Sequence, residues 1–291
     1  MRKLVAAMQA AGAADRTAGG HVTAPVFVVD GARLRADDAV TLDGEEGRHA
    51  AVVRRIGAGE AVDLTDGAGQ LAHCVVTAAS KAGLVCAVKS RTTVAPPSPR
   101  LTVVQALAKG DRGELAVELM TEVGVDVIVP WAALRCVTRW KAERGEKSLR
   151  RWRSTAREAA KQSRRAWHPS VTPLATTDEV ARLLAGADLA IVLHEAAELP
   201  LGAVELPSAG NGVQVGGATA PDGSGDGASP SDGPGELVLV VGPEGGVDDS
   251  ELAAFEAAGA VSVRMGPTVL RTSTAGAVAA GVLLSRTVRW S

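Results

Sequence analysis

The sequence predicts an α/β chain in which a small β-barrel over residues 21–93 precedes a domain built on a mainly parallel sheet over residues 99–291. Three observations carry that expectation. From Pro25 to Arg91, short strand-like runs (PVFVVD, AVTLD, AVDLTDGAGQLAHCVVTAAS, GLVCAVKS) are separated by DG and GAG turns. Residues 94–100, VAPPSPR, then place three prolines in seven positions, which ends the strand pattern without opening a helix and reads as a linker. Beyond the linker, strand and helix patterns alternate, and such alternation closes into a parallel sheet with helices on both faces.

Taken in order, the second region reads as strand LTVVQAL, helix RGELAVELMTEVG, strand VDVIVPW and a long helix from about Lys147 to Trp167. Helix TDEVARLLAG, strands LAIVLHE and ELVLVVG, helix DDSELAAFEAAG, strand VSVRMG and a last helix from about Ser273 to Val288 follow. In the first helix Leu115, Leu119 and Val123 recur every four residues, a stripe expected to pack on the sheet. Residues 207–235 are Gly, Ser, Pro and Asp with few apolar side chains, so they do not offset the entropy of ordering and read as a disordered insertion between two strands of one sheet. Residues 1–20 read as a disordered extension.

At 291 residues and 46% apolar composition, the chain has material for two cores. A formal net charge of −2 says nothing about nucleic acid, so any RNA surface must show as local segregation of charge. Cys74, Cys86 and Cys136 form no short-spaced pair, which argues against disulfides and a zinc site and fits a cytoplasmic protein without a metal. No window has the roughly 20 apolar residues of a membrane span, so no membrane partner is expected.

The chemistry sits at strand ends. An apolar strand runs into Gly242, Pro243, Glu244, Gly245 and Gly246, and Asp248 with Glu251 forms a capping-box pattern for the next helix. Glycines at the carboxyl end of a parallel strand let the backbone approach a ligand, although the same loop serves equally as a structural turn. Met265, Gly266 and Pro267 end a second strand, and Leu270, Arg271 and Thr272 lead into a helix of small residues suited to a tight core or a dimer contact. Leu193, His194 and Glu195 end a third, and a histidine there serves structure or function. Neither GxGxxG nor GxxxxGK(S/T) occurs in these loops.

GPEGG followed by MGPTVLRTSTA resembles the signature pair of the SPOUT methyltransferases, and is most similar to the RsmE-type family of ribosomal RNA uridine-N3 methyltransferases. RHAAVVRRIGAGEAVDLTDGAG (48–69), KGDRGELAVELMTEVGVDVIVP (109–130) and AAKQSRRAWHPSV (159–171) extend the resemblance from Pro25 to Ser285, outside the insertion. It implies a PUA-like RNA-binding barrel, a SPOUT domain threaded through a trefoil α/β knot, homodimerisation, S-adenosyl-L-methionine as cofactor, and the 16S ribosomal RNA of the small subunit as partner. Cofactor contacts would fall on Leu193, His194, Glu195, Gly242, Gly246, Met265, Gly266, Leu270 and Arg271. Ser273 stands where many relatives carry Glu after LRT, and Lys161 where many carry Glu before QS.

Methylating uridine N3 requires loss of its proton, so Arg271 is the candidate for electrostatic stabilisation and Glu244 the one acid within the glycine loop. N3 lies on the Watson–Crick edge, so the target base must be unpaired or flipped out. Between Arg139 and His168, eleven Lys or Arg face three Glu, an excess expected to meet phosphate through Arg150, Arg151, Arg153, Arg157, Arg164 and Arg165. Trp140, Trp152 and Trp167 lie among them, either to stack on bases or to form a buried stripe. Arg48, His49, Arg54 and Arg55 form a smaller basic cluster in the barrel that the resemblance also assigns to RNA. A SPOUT methyltransferase with another RNA target, or a non-catalytic RNA-binding ribosome-assembly factor, remains the alternative.

Overall fold

A computed structural model describes residues 24–207 and 235–290. The extension read at 1–20 lies outside them, as does the 207–235 insertion apart from its two end residues. In the first region, β1 (Val26–Val28), α1 (Gly31–Ala36), β2 (Ala39–Leu42), α2 (Gly44–Arg48), a π-turn (His49–Val53), β3 (Ala61–Thr65), β4 (Gln70–Ser80) and β5 (Gly83–Thr93) follow in order. The reading of this region as strands and turns alone therefore missed its helical turns: Asp30 accepts from the Ala32 N–H to start α1, and only Leu34 of that helix is buried. The five strands form one sheet in the order β1-β3-β4-β5-β2, and its edge strands β1 and β2 do not pair with each other among the described residues. Phe27, Leu34, Val62, Leu64 and Leu84 fill its core. Burial pushes the thiols of Cys74 and Cys86 there up to about 12 and about 11.

The second region continues with β6 (Arg100–Ala106), α3 (Arg112–Val123), β7 (Val127–Trp131), α4 (Ala142–Gln162), β8 (Ser170–Val171), α5 (Thr177–Ala185), β9 (Leu189–Leu193), β10 (Glu236–Val241), α6 (Asp249–Ala257), β11 (Val261–Val263) and α7 (Thr272–Leu284). All six strands are parallel, in the order β11-β9-β10-β6-β7-β8. Helices cover the sheet, so its central strands are buried on both faces and read as continuous apolar runs. The capping box expected at Asp248 and Glu251 forms at the start of α6, and a second one, Thr176 with Glu179, which the sequence reading did not include, starts α5.

Two expectations are corrected. The long helix begins at Ala142 and ends at Gln162, ahead of Arg164 with its positive φ of 57°. On α3 the buried face is Gly113, Ala116, Val117, Met120 and Thr121, whereas Leu115 is 43% exposed. Small residues won because the helix must approach a tryptophan: a Cβ on Gly113 would lie 2.8 Å from the Trp152 ring. Trp152, on the inner stripe of α4, is buried and meets Trp140, just ahead of the helix, edge to face at 5.0 Å, so these two pack together and do not form a base-stacking platform.

The segment after α4 joins the two regions. Gly69 N–H donates to Ala166 O, His168 N–H to Gly67 O and the Trp167 indole N–H to Val94 O, each at 2.9 Å. Lys161, 7% exposed, places Nζ 2.8 Å from Glu46 and 3.3 Å from Glu158. Lys161→Glu would gather three carboxylates at this half-buried junction, and we expect a loss of about 3–5 kcal/mol in urea unfolding. Adding Glu46→Lys restores the pairing, and a double-mutant coupling below about 0.5 kcal/mol would show that the contact contributes nothing.

Candidate functional site

Loops 193–195, 241–247 and 264–275, from the carboxyl ends of β9, β10 and β11 and the start of α7, meet around a cavity of about 370 Å³. Neighbouring parallel strands bring them together, since β9 lies between β10 and β11. This is where open parallel sheets bind ligands, and the volume falls within the roughly 300–1,000 Å³ usual for small-molecule sites. Leu193, Val241, Val247, Met265, Leu270 and Ala275 supply apolar wall. Gly242 allows the tight turn, because a Cβ there would lie 2.8 Å from Val247 Cγ2, and Gly246 adopts φ +75°. All nine residues named above as cofactor contacts line this one cavity, as does Glu244.

Three hydrogen-bonded supports hold the loops. Gln105 Nε2 donates to Thr272 Oγ1 at 3.2 Å, and that hydroxyl donates to Gly242 O at 2.5 Å, tying two cavity loops through a buried chain. Arg135 donates from Nε to Asp248 at 3.2 Å and from Nη1 to Val247 O at 3.2 Å, clamping the far end of the glycine loop. Asp248 also accepts from the Ser250 hydroxyl and N–H, and these bonds hold its carboxyl below the usual aspartate range. Buried Glu251 accepts from Leu134 N–H and Thr177 Oγ1, each at 2.9 Å, and from Asp248 N–H. Gln105 and Arg135 were not legible as site residues, because each acts from an element distant in sequence.

The charged candidates separate. Arg271 is exposed at the cavity and has no side-chain partner among the described residues. Glu244 accepts the Lys109 N–H at 3.1 Å, a structural task joining the glycine loop to the β6–α3 connection. Ser273 is buried and does not line the cavity, so its departure from the related pattern leaves the wall unchanged.

The basic residues separate as well. Arg165 is a correction: its side chain is 12% exposed and bonds Asp126 at 2.9 Å and the Thr121 and Val125 carbonyls, so it belongs to the core and not to an RNA surface. Burial lowers its pKa, with Asp126 opposing. Arg164 ties Ala24 O and Asp63 of the first region. Arg153 donates to Val171 O, and Arg151 lies 3.5 Å from Glu114. Arg150 and Arg157 are exposed without such partners among the described residues, as are Arg48, Arg54 and Arg55; His49 is also exposed and stacks edge to face with Phe27. Arg150→Gln or Arg157→Gln is expected to lower the salt dependence of RNA binding by about one charge. Arg165→Gln should instead lower the unfolding midpoint, and the same slope change in all three would remove this distinction.

No group of three or more His, Cys, Asp or Glu suited to a metal occurs among the described residues, and no described helix is long and apolar enough to cross a membrane. A parallel sheet with a loop-lined cavity at its carboxyl edge, behind a small β domain, defines a class that the family models name: the RNA methyltransferase domain matches residues 96–284 and the RNA methyltransferase PUA domain residues 42–89. The chain is 47% identical over 275 residues to ribosomal RNA small subunit methyltransferase E of Mycobacterium bovis, covering 92% of this chain and 94% of the relative. It belongs to that family of RNA methyltransferases. Among solved structures, a methyltransferase from Legionella pneumophila in complex with bound SAM superposes with a TM-score of 0.73 at 25% identity, covering 91% of this chain and 98% of that one. A ribosomal RNA small subunit methyltransferase E from Neisseria gonorrhoeae, at 24% identity and a TM-score of 0.71 over 90% of this chain and 98% of that one, shares the fold.

Proposed function

We propose that this protein methylates N3 of a specific uridine in 16S ribosomal RNA of the small subunit, using S-adenosyl-L-methionine, as a cytoplasmic homodimer. The observation that carries the proposal is the convergence of the three strand-end loops on one cavity, in a chain 47% identical to a relative named ribosomal RNA small subunit methyltransferase E. The residues fit the cofactor: apolar wall suits an adenine ring, and the glycines at 242, 246 and 266 bring backbone to the lining. Bound S-adenosylmethionine supplies a sulfonium-activated methyl group. The chain's part is to align the base and favour its deprotonated form. Arg271 stabilises the charge left on the uracil when the N3 proton passes to solvent, while Glu244 holds the glycine loop.

We further assign residues 21–93 to a PUA-like barrel and residues 99–291 to a SPOUT domain whose loops 241–247 and 264–271 belong to a trefoil knot. Leu115, Val278 and Trp290, which are 43%, 45% and 52% exposed, give α3, α7 and the C-terminal turn apolar surface suited to a second copy. The experiment is methyl transfer from labelled S-adenosylmethionine to small subunits isolated from a strain lacking this gene, followed by nucleoside analysis. Label in 3-methyluridine supports the proposal. Label in another nucleoside overturns the substrate, and no label despite cofactor binding points to an assembly factor.

A further inference from the structure

Every residue lining the cavity but one belongs to the three strand-end loops. The exception is Arg112, the first residue of α3. Its side chain is exposed and has no partner among the described residues. What lies beside it is informative. Glu114, two residues along, lies 3.5 Å from Arg151 of α4. That helix buries Leu149, Trp152, Ala156, Ala159 and Ala160, so Lys147, Arg150, Ser154 and Arg157, spaced by three and four, form its outward stripe. At its far end Arg157 shares a cleft with His49 of the first region, next to Arg48. Arg157 and His49 thus line one cleft, whose wall also carries Asp30, Asp43, Glu45, Glu46 and Glu158, and Arg112 is the cation that α3 brings to the cavity.

We propose that Arg112 is a substrate-positioning residue that binds a phosphodiester oxygen next to the target nucleotide and so holds the flipped-out base at the cavity mouth. The inference rests on the methyltransferase reading and adds to it a contact of known chemistry: a planar guanidinium with free donors matches a phosphate with two parallel hydrogen bonds. A flipped base needs such an anchor, because the nucleotide that leaves the stack retains rotation about its own backbone until a phosphate beside it is fixed. The competing anion for a guanidinium at this cavity would be the carboxylate of the cofactor's amino-acid moiety, and the test separates the two.

Arg112→Ala and Arg112→Lys are compared with the wild-type chain. For each, S-adenosylmethionine affinity is measured by calorimetry, binding to undermethylated small subunits is followed against salt, and KM and kcat are determined. The expected result for Arg112→Ala is unchanged cofactor affinity, a salt slope lower by about one, and a KM for subunits raised on the order of tenfold with a smaller fall in kcat. Arg112→Lys should recover the salt slope, since the charge is kept, and only part of KM, since the fork is lost. Cofactor affinity falling tenfold with an unchanged salt slope would overturn the proposal in favour of the carboxylate, and no change in either would make Arg112 a bystander. Failure of the wild-type chain to methylate subunits would count against the function proposed above, whereas the salt slope is read from binding and tests Arg112 independently.

Discussion

Asp126→Ala is expected to cost about 3–5 kcal/mol of folding stability. Its carboxylate is 7% exposed and lies 2.9 Å from Arg165 and 2.6 Å from Arg289, with Oδ2 also accepting the Leu101 N–H at 2.9 Å. Removing it leaves two guanidinium groups, 12% and 13% exposed, facing each other without the anion between them, and an amide at the start of β6 without its acceptor. Arg289 also bonds the Pro99 and Gly124 carbonyls, so Asp126 is the point through which the C-terminal turn is fastened to the linker and to the end of α3. Since a whole domain is stable by only about 5–15 kcal/mol, a change of this size should be plain as a fall in urea midpoint at unchanged m-value. Asp126→Asn should lie between, keeping hydrogen-bond acceptance without the charge. A loss under about 1 kcal/mol for Asp126→Ala would mean that solvent already neutralises the cluster.

Arg271→Ala is expected to lower kcat by about 100-fold or more, the scale on which a preorganised charge facing a developing anion acts. The guanidinium stands at the cavity edge directly before α7, unpaired among the described residues and so available to the substrate. Its sign in pH is defined. A cation beside the uracil favours the deprotonated base and lowers its pKa, so removing it moves the rate-versus-pH curve to higher pH, and activity should recover part of its loss under alkaline conditions. Because the side chain has no structural partner, the unfolding midpoint should not move. An equal fall in kcat at every pH would count against stabilisation of the anion, and a weakened cofactor affinity with intact kcat would place Arg271 in cofactor binding.

Much of this architecture is legible in the sequence. Alternating strand and helix patterns gave the parallel sheet, because each period reflects which face a residue must bury, and the Asp248–Glu251 capping box is set by contacts three residues apart. The glycine loop and the Met265–Arg271 loop were visible for a similar reason: a strand's carboxyl end is marked by the glycines and prolines that stop it. Hydrophobic spacing misplaced the buried face of α3, since Leu115 and Met120 are equally apolar and only the neighbouring Trp152 selects the side bearing Gly113 and Ala116.

By itself the sequence pointed to a two-part organisation, to the glycine-marked strand ends and to the excess of cations around the long helix. Tertiary structure alone decided which cations are free. Arg150 and Arg165 are the same residue type in the same basic run, yet one is exposed and the other is held by Asp126, 39 positions away. It also decided that Gln105 and Arg135 support the cavity and that Arg112 opens onto it. The physical reason is range: burial periodicity, caps and turns are set within a few residues of sequence, whereas a buried charge or a cavity wall is defined by partners that only the folded chain brings within 3 Å.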